Sequence, residues 1–86
     1  VNALGDKPVY FTVDLDVLDP SVFPGTGTPE PGGVSFEELR KAVTLVCPKV
    51  NVVACDVNEL SPPYDQSGVS TMVACKIVRE MLLALS

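Results

Sequence analysis

Three aspartates, Asp14, Asp16 and Asp19, stand within six residues of one another in FTVDLDVLDP, residues 11–20. Carboxylates that close repel, and taking one out of water is costly unless a positive charge compensates. Either the three point into solvent or a cation sits among them. Asp14 and Asp16 lie two apart, so an extended backbone would aim both side chains the same way. Such a pair offers hard oxygen ligands of the kind that Mg²⁺ and Mn²⁺ prefer. Taken alone, D-x-D serves a solvated or capping role about as well. Asp19 precedes Pro20, a pairing that starts turns, and a structural role suits it better.

A second acidic group lies downstream. Asp56 and Glu59 follow the apolar run VNVVAC (50–55), and Tyr64 and Asp65 follow a Pro-Pro pair. Asp56 reads as support for a nearby site or as a loop hydrogen bonder. Tyr64 and Asp65 could touch a ligand or close the loop.

The elements that must position these residues can be read from pattern. VYFTV (9–13) is β-branched and aromatic and predicts a buried strand. Residues 15–34 show neither helical nor strand period and are dense in Pro and Gly, as expected of a shaped functional loop. Ser35-Phe36-Glu37-Glu38 is a capping box and predicts a helix start, with Phe36, Leu39, Val43 and Val46 on one stripe. Pro48 should stop that helix. Residues 50–55 predict a second strand, and residues 69–85 a second helix with Val73, Ile77 and Met81 on one stripe. Met72, Met81 and the neighbouring leucines are expected in the core.

The order strand, loop, helix, strand, loop, helix indicates an α/β fold with a parallel sheet. The first three regular elements would form one right-handed βαβ unit. Ligand sites in such folds lie at the carboxyl ends of the strands. Asp14, Asp16, Asp56 and Glu59 are therefore expected to face one crevice, with Tyr64 and Asp65 at its rim.

Composition narrows the function. The 86 residues are 47% hydrophobic and 20% charged, a globular balance. Eleven acids against six bases give a net charge of −5, which argues against nucleic-acid or anionic-membrane partners and suits cation binding. Cys47, Cys55 and Cys75 form no CxxC pair and read as small buried hydrophobes in a reducing cytoplasm. No apolar run reaches membrane-spanning length, and VNALGDKP has neither the basic start nor the apolar core of a signal peptide. An EF-hand is excluded by spacing. Counted from Asp14, Asp19 falls where the turn needs Gly, and Gly25 falls where Glu is needed.

TVDLDVLDP (12–20) followed by PGTGTPEPGG (24–33) resembles the signature of the ureohydrolase (arginase/agmatinase) family. DVNELSPPYDQS (56–67) is similar to that family's last active-site segment. The likeness spans nearly the whole chain in order, and PGTGTP and PPYDQS look more like agmatinase than arginase. The resemblance implies a three-layer α/β/α fold and a two-manganese site that hydrolyses agmatine or another guanidino compound to urea and an amine. It implies that Asp14 bridges the metals, that Asp16 binds the second, that Glu59 receives and orients the guanidinium and that Thr28 lines the pocket. A hydroxide shared by the metals would attack the guanidinium carbon. A cytoplasmic homo-oligomer, trimer or hexamer, is implied as well.

Two departures matter. Thr12 stands where the family usually has Ser, which keeps the hydroxyl. The sequence has no histidine, whereas the family draws two metal ligands and a proton shuttle from histidine. The expectation is therefore a C-terminal part of a single ureohydrolase domain, beginning partway along a longer protein and inactive by itself. Two other readings compete. VYFTVDLDV also fits a haloacid-dehalogenase-type phosphatase, with Asp14 as nucleophile and Asp16 as general acid, although the G-T expected after the second Asp is missing. A non-catalytic, self-associating interaction piece is the other.

Overall fold

A computed structural model describes residues 3–86. It contains strand β1 (Pro8–Asp14), helix α1 (Phe36–Val46), strand β2 (Asn51–Asn58) and helix α2 (Val69–Leu85). Three short 3₁₀ turns join them, at Leu15–Val17, Cys47–Lys49 and Pro62–Tyr64. The strands pair in parallel, as expected of apolar strands separated by a helix.

Register decides what reaches the site. Pairing slips between Val9 and Tyr10, then runs Thr12 opposite Asp56 and Asp14 opposite Asn58. The slip leaves Val53 without a place in the ladder and exposed. Because side chains alternate along a strand, Phe11, Val13, Cys55 and Val57 face the helices. Tyr10, Thr12 and Asp14 are exposed on the opposite face. That face carries no helix among the described residues; it is where a three-layer fold sets its other helical layer.

The core lies between the inner sheet face and the two helices. Val13, Leu15, Leu18, Phe23, Val43, Cys47, Ala74, Ile77 and Met81 are buried there together. Each large side chain among them contributes roughly 1.5–3 kcal/mol on burial. Leu15, Leu18 and Phe23 come from the long loop, so the loop is pinned to the core by its own apolar residues.

The capping box forms as the sequence predicts. Ser35 Oγ accepts from the Glu38 amide at 3.1 Å, and Glu38 Oε1 accepts from the Ser35 amide at 2.9 Å. The Ser35 amide is the main cause holding the Glu38 carboxyl below its ordinary range. Pro48 falls within the 3₁₀ turn that follows α1, consistent with its inability to continue an α-helix.

The structure corrects four expectations. Asp16 is not in extended backbone: the strand ends at Asp14, and Leu15–Val17 is a 3₁₀ turn capped by the Asp14 side chain. Strand β2 runs three residues further than its apolar run, so Asp56 sits inside the ladder. Met72 is 73% exposed, and Leu82 and Leu83 are exposed as well, while Met81 alone of the two methionines is core. Only Cys47 of the three cysteines is buried; Cys75 is exposed and Cys55 is half-buried against the core. The exposure of Met72, Leu82, Leu83 and Cys75 arises because α2 is apolar nearly all round, so periodicity cannot choose which apolar stripe faces the sheet.

Candidate functional site

The chemistry-bearing residues gather at the carboxyl edge of the parallel pair. Asp14 ends β1, and Asn58, opposite it, ends β2. Glu59 is therefore one residue beyond the same edge. Its backbone takes a left-handed conformation, φ 78°, alone among the non-glycine residues described. An L-residue held there stores roughly 1–2 kcal/mol of strain. The chain uses that twist to turn sharply out of β2.

Asp14 Oδ1 accepts from the Asp16 amide at 3.1 Å, which folds the turn back on the strand end. Desolvation pushes the Asp14 carboxyl above its ordinary value; the Asp16 amide opposes this and the Asp16 carboxyl adds to it. Asp16 Oδ2 in turn accepts from Thr28 Oγ1 at 2.8 Å. This bond crosses twelve residues and brings the PGTGTP loop onto the D-x-D turn.

The long loop between them is closed by Asp19. One carboxylate oxygen accepts from the amides of Gly32 and Gly33 at 3.0 and 3.3 Å. The other accepts from the amide and the hydroxyl of Ser21. The Ser21 hydroxyl is the largest of the causes holding the Asp19 carboxyl below its ordinary range. Leu18 bridges to Val34 beside this closure. Gly33 leaves no alternative there, since a Cβ would lie 2.6 Å from the Asp19 nitrogen and the Val17 oxygen.

Asp56 is engaged elsewhere. Its carboxylate accepts from Thr12 Oγ1 at 2.6 Å, from Asn58 Nδ2 at 2.8 Å and from the Tyr10 hydroxyl. These donors, Thr12 foremost, lower its carboxyl, while the Tyr10 phenol is pushed up. The network covers the open sheet face one pleat behind Asp14.

The expected convergence of four acids does not form. Among the described residues no three acids, cysteines or histidines come together to hold an ion. Asp14 and Asp16 do meet; Asp56 is withdrawn into the sheet by the extra length of β2. Tyr64 is exposed, and Asp65 is turned toward Ser67 and Ser70. A groove of about 270 Å³ between β1 and α1 touches Asp14 but is otherwise lined mainly by apolar residues, among them Phe11, Leu39 and Val43. It offers little for a polar substrate.

Sequence reasoning missed two features. One is the left-handed backbone at Glu59, for which an acidic residue at a strand exit gives no signal. The other is the contact of Gly25 with Ser61 and Ser70. No local pattern reports it, because Ser61 and Ser70 lie far along the chain from Gly25.

A parallel α/β unit with paired acids at its carboxyl edge and a glycine-rich loop folded onto them is the frame on which comparison with known proteins falls. The arginase family model matches residues 1–84, and the chain belongs to that family. It is 48% identical over 81 residues to an agmatinase of Halalkalibacterium halodurans, covering 93% of this chain and 28% of the relative. It is 44% identical over 82 residues to the human mitochondrial guanidino acid hydrolase, covering 95% of this chain and 23% of the relative. The solved proclavaminate amidino hydrolase of Streptomyces clavuligerus superimposes with a TM-score of 0.90 at 39% identity, over 98% of this chain and 28% of that one. The chain thus spans about a quarter of the length of the proteins it matches. The family assignment sets aside the phosphatase reading of the D-x-D pair.

Proposed function

We propose that this chain is part of a manganese-dependent ureohydrolase that converts agmatine and water to putrescine and urea. The observation that carries the reading is the 2.8 Å bond from Thr28 to Asp16, which unites the D-x-D turn and the PGTGTP loop at the edge where Glu59 emerges.

Asp14 and Asp16 would hold the metal. The fit is supported by chemistry: both are hard oxygen donors, and their carboxyls interact at close range. Neither takes part in an ion pair among the described residues, where Arg40 and Arg79 pair with Glu37 and Glu80. Two carboxylates are fewer than a dinuclear centre needs, so the remaining ligands would come from outside these residues, and the chain alone would be inactive. The metal, when bound, makes water a competent nucleophile at neutral pH.

The chain's own residues do the rest. Thr28 holds the Asp16 carboxylate in one orientation. Glu59 offers a carboxylate to a guanidinium, a planar cation that pairs with it through two hydrogen bonds. That pairing orients the carbon and offsets its charge. Asp19 and Gly33 keep the intervening loop closed, and Asp56 fixes the strand behind Asp14.

Agmatine is preferred over other guanidino compounds on the PGTGTP and PPYDQS segments and on the agmatinases among the relatives. The human relative's name points to guanidino acids instead, and the test therefore includes both. A homo-oligomer, trimer or hexamer, working in the cytoplasm is part of the same reading. No described helix is long and apolar enough to cross a membrane.

Urea release by the full-length protein with Mn²⁺ tests the proposal. Release from agmatine that Asp16→Asn abolishes supports it. A protein that binds no Mn²⁺ and makes no urea from any guanidino compound would instead favour a non-catalytic, self-associating role.

A further inference from the structure

We propose that Asp65 and Ser70 are positioning residues that, through Gly25, set the spacing between the two loops bearing Thr28 and Glu59. The inference rests on the ureohydrolase reading above.

Gly25 lies three residues before Thr28, and Ser61 two residues after Glu59. The two loops touch directly here: the Ser61 amide donates to the Gly25 carbonyl at 2.7 Å. On its other side the Gly25 amide donates to Ser70 Oγ at 2.8 Å. Ser70 Oγ then donates to Asp65 Oδ2 at 2.6 Å. An ionised carboxylate only accepts, so the hydroxyl proton must point to Asp65, and the Ser70 lone pair is left for Gly25. The direction of the whole chain of bonds is fixed by one charge, and such chains strengthen each bond in turn.

The contact is also close. A Cβ on Gly25 would lie 2.7 Å from Ser70 Cβ and 3.2 Å from Asp65 Cβ. Gly25 and Ser70 are both buried, Ser70 to 1% exposure. The loop beyond has little slack, because the Thr26 amide turns back onto the Pro24 carbonyl at 2.9 Å and Thr26 is itself buried.

Capping of α2 explains only part of this arrangement. Asp65 caps the helix by accepting from the Ser70 amide at 2.9 Å, and its other oxygen accepts from the Ser67 amide at 3.1 Å. Neither bond requires Gly25. The tie to Gly25 is additional, and its effect is to lock the Thr28 loop against the Glu59 loop.

The test uses the full-length, Mn²⁺-loaded protein and a double-mutant cycle of Ser70→Ala with Glu59→Gln. Ser70→Ala is expected to lower kcat/KM for agmatine by about tenfold to hundredfold, the range for a misplacement near 1 Å. Its Mn²⁺ content should not change. Once Glu59→Gln has removed the group being positioned, the same substitution should cost less than about threefold, the non-additivity of coupled sites. Amide exchange at Ser61, whose bond does not involve the Ser70 side chain, should quicken by about tenfold or more as the loops part. Asp65→Asn keeps an oxygen to accept from Ser70 and should be milder; it carries the same cycle if Ser70→Ala does not fold.

Additive losses in an active enzyme, or an unchanged Ser61 amide, would overturn the clamp and leave Ser70 as a stabiliser of α2. A wild-type protein that makes no urea from any guanidino compound would overturn the ureohydrolase reading first, and the clamp's role in turnover with it.

Discussion

Thr28 Oγ1 donates a 2.8 Å hydrogen bond to Asp16 Oδ2, and through it a loop of the chain acts on a residue twelve positions away. The threonine has one hydroxyl proton, and it is spent on the carboxylate. Thr28 thereby fixes which lone pairs the Asp16 carboxylate has left, and under the proposed function those would serve the metal. Removing that donor should weaken metal positioning without disturbing the core, because Thr28 is exposed.

Thr28→Val, which keeps the shape and loses the hydroxyl, is expected to lower kcat/KM for urea release by about tenfold, the scale of one hydrogen bond to a charged group. Thr28→Ser should retain most activity. Steady-state kinetics at saturating Mn²⁺, with the Mn²⁺ titration run beside them, checks both. A Val variant as active as wild type would show that Asp16 is held by other means.

Glu59 separates backbone from side chain. Its φ of 78° is a conformation that β-branched residues scarcely adopt. Glu59→Val should therefore destabilise the protein, whereas in Glu59→Gly a strain relief of roughly 1–2 kcal/mol is set against an unfolded-state entropy cost of about 0.4–1 kcal/mol. The Gly variant should melt close to wild type and the Val variant below it. Both should lose urea release, since neither offers a carboxylate to the guanidinium. Equal melting temperatures for the two would contradict the strained backbone.

What the sequence made legible follows from which signals are local. The capping box at Ser35 and Glu38 satisfies backbone donors within one helical turn, so it could be read directly. The parallel pairing followed from apolar strands separated by an amphipathic helix. The register did not. Asp56 lies inside β2 because Asp56, Val57 and Asn58 continue the ladder past the apolar run, and polar residues can extend a strand wherever one face is open. Asp16 left the extended path because the Asp14 side chain captured its amide, a bond that competes with strand geometry. The partner of Gly25 lies 45 residues away on another element. Sequence spacing gives no measure of such an approach.

Two glycines of the long loop should respond oppositely to the same change. Gly33 packs against backbone, with a Cβ placed 2.6 Å from the Asp19 nitrogen, 2.6 Å from the Val17 oxygen and 2.7 Å from the Leu18 carbonyl carbon. Backbone cannot yield as a side chain can, so Gly33→Ala should break the Leu18–Val34 bridge and cost about 1–3 kcal/mol, as overpacking does. Gly27 has open space around it. Gly27→Ala should be neutral or stabilising by up to about 1 kcal/mol through the unfolded chain. Denaturant unfolding of the two variants settles the order, and a Gly33→Ala protein as stable as Gly27→Ala would mean that the loop closure is not tight.

Acid should act on the fold partly through Asp65. Its carboxyl is lowered to about 2, first by the Ser67 hydroxyl, then by the Ser70 hydroxyl and amide. An unfolded chain would titrate this group near pH 4. A carboxylate whose folded value is depressed gives stability that is fully present above the unfolded value and is lost as pH falls through the folded one. The window is therefore roughly pH 4 down to pH 2, and neutral pH lies on the plateau. The group is solvent-accessible, so salt and water screen part of the effect. Asp65→Asn is uncharged throughout. The stability gap between wild type and Asp65→Asn should be constant above about pH 5 and should narrow steadily toward pH 2. Thermal unfolding of both proteins across that range, at fixed ionic strength, reads it. A gap that widened on acidification would have the wrong sign for a depressed carboxylate and would show that the hydroxyls of Ser67 and Ser70 do not hold Asp65 ionised.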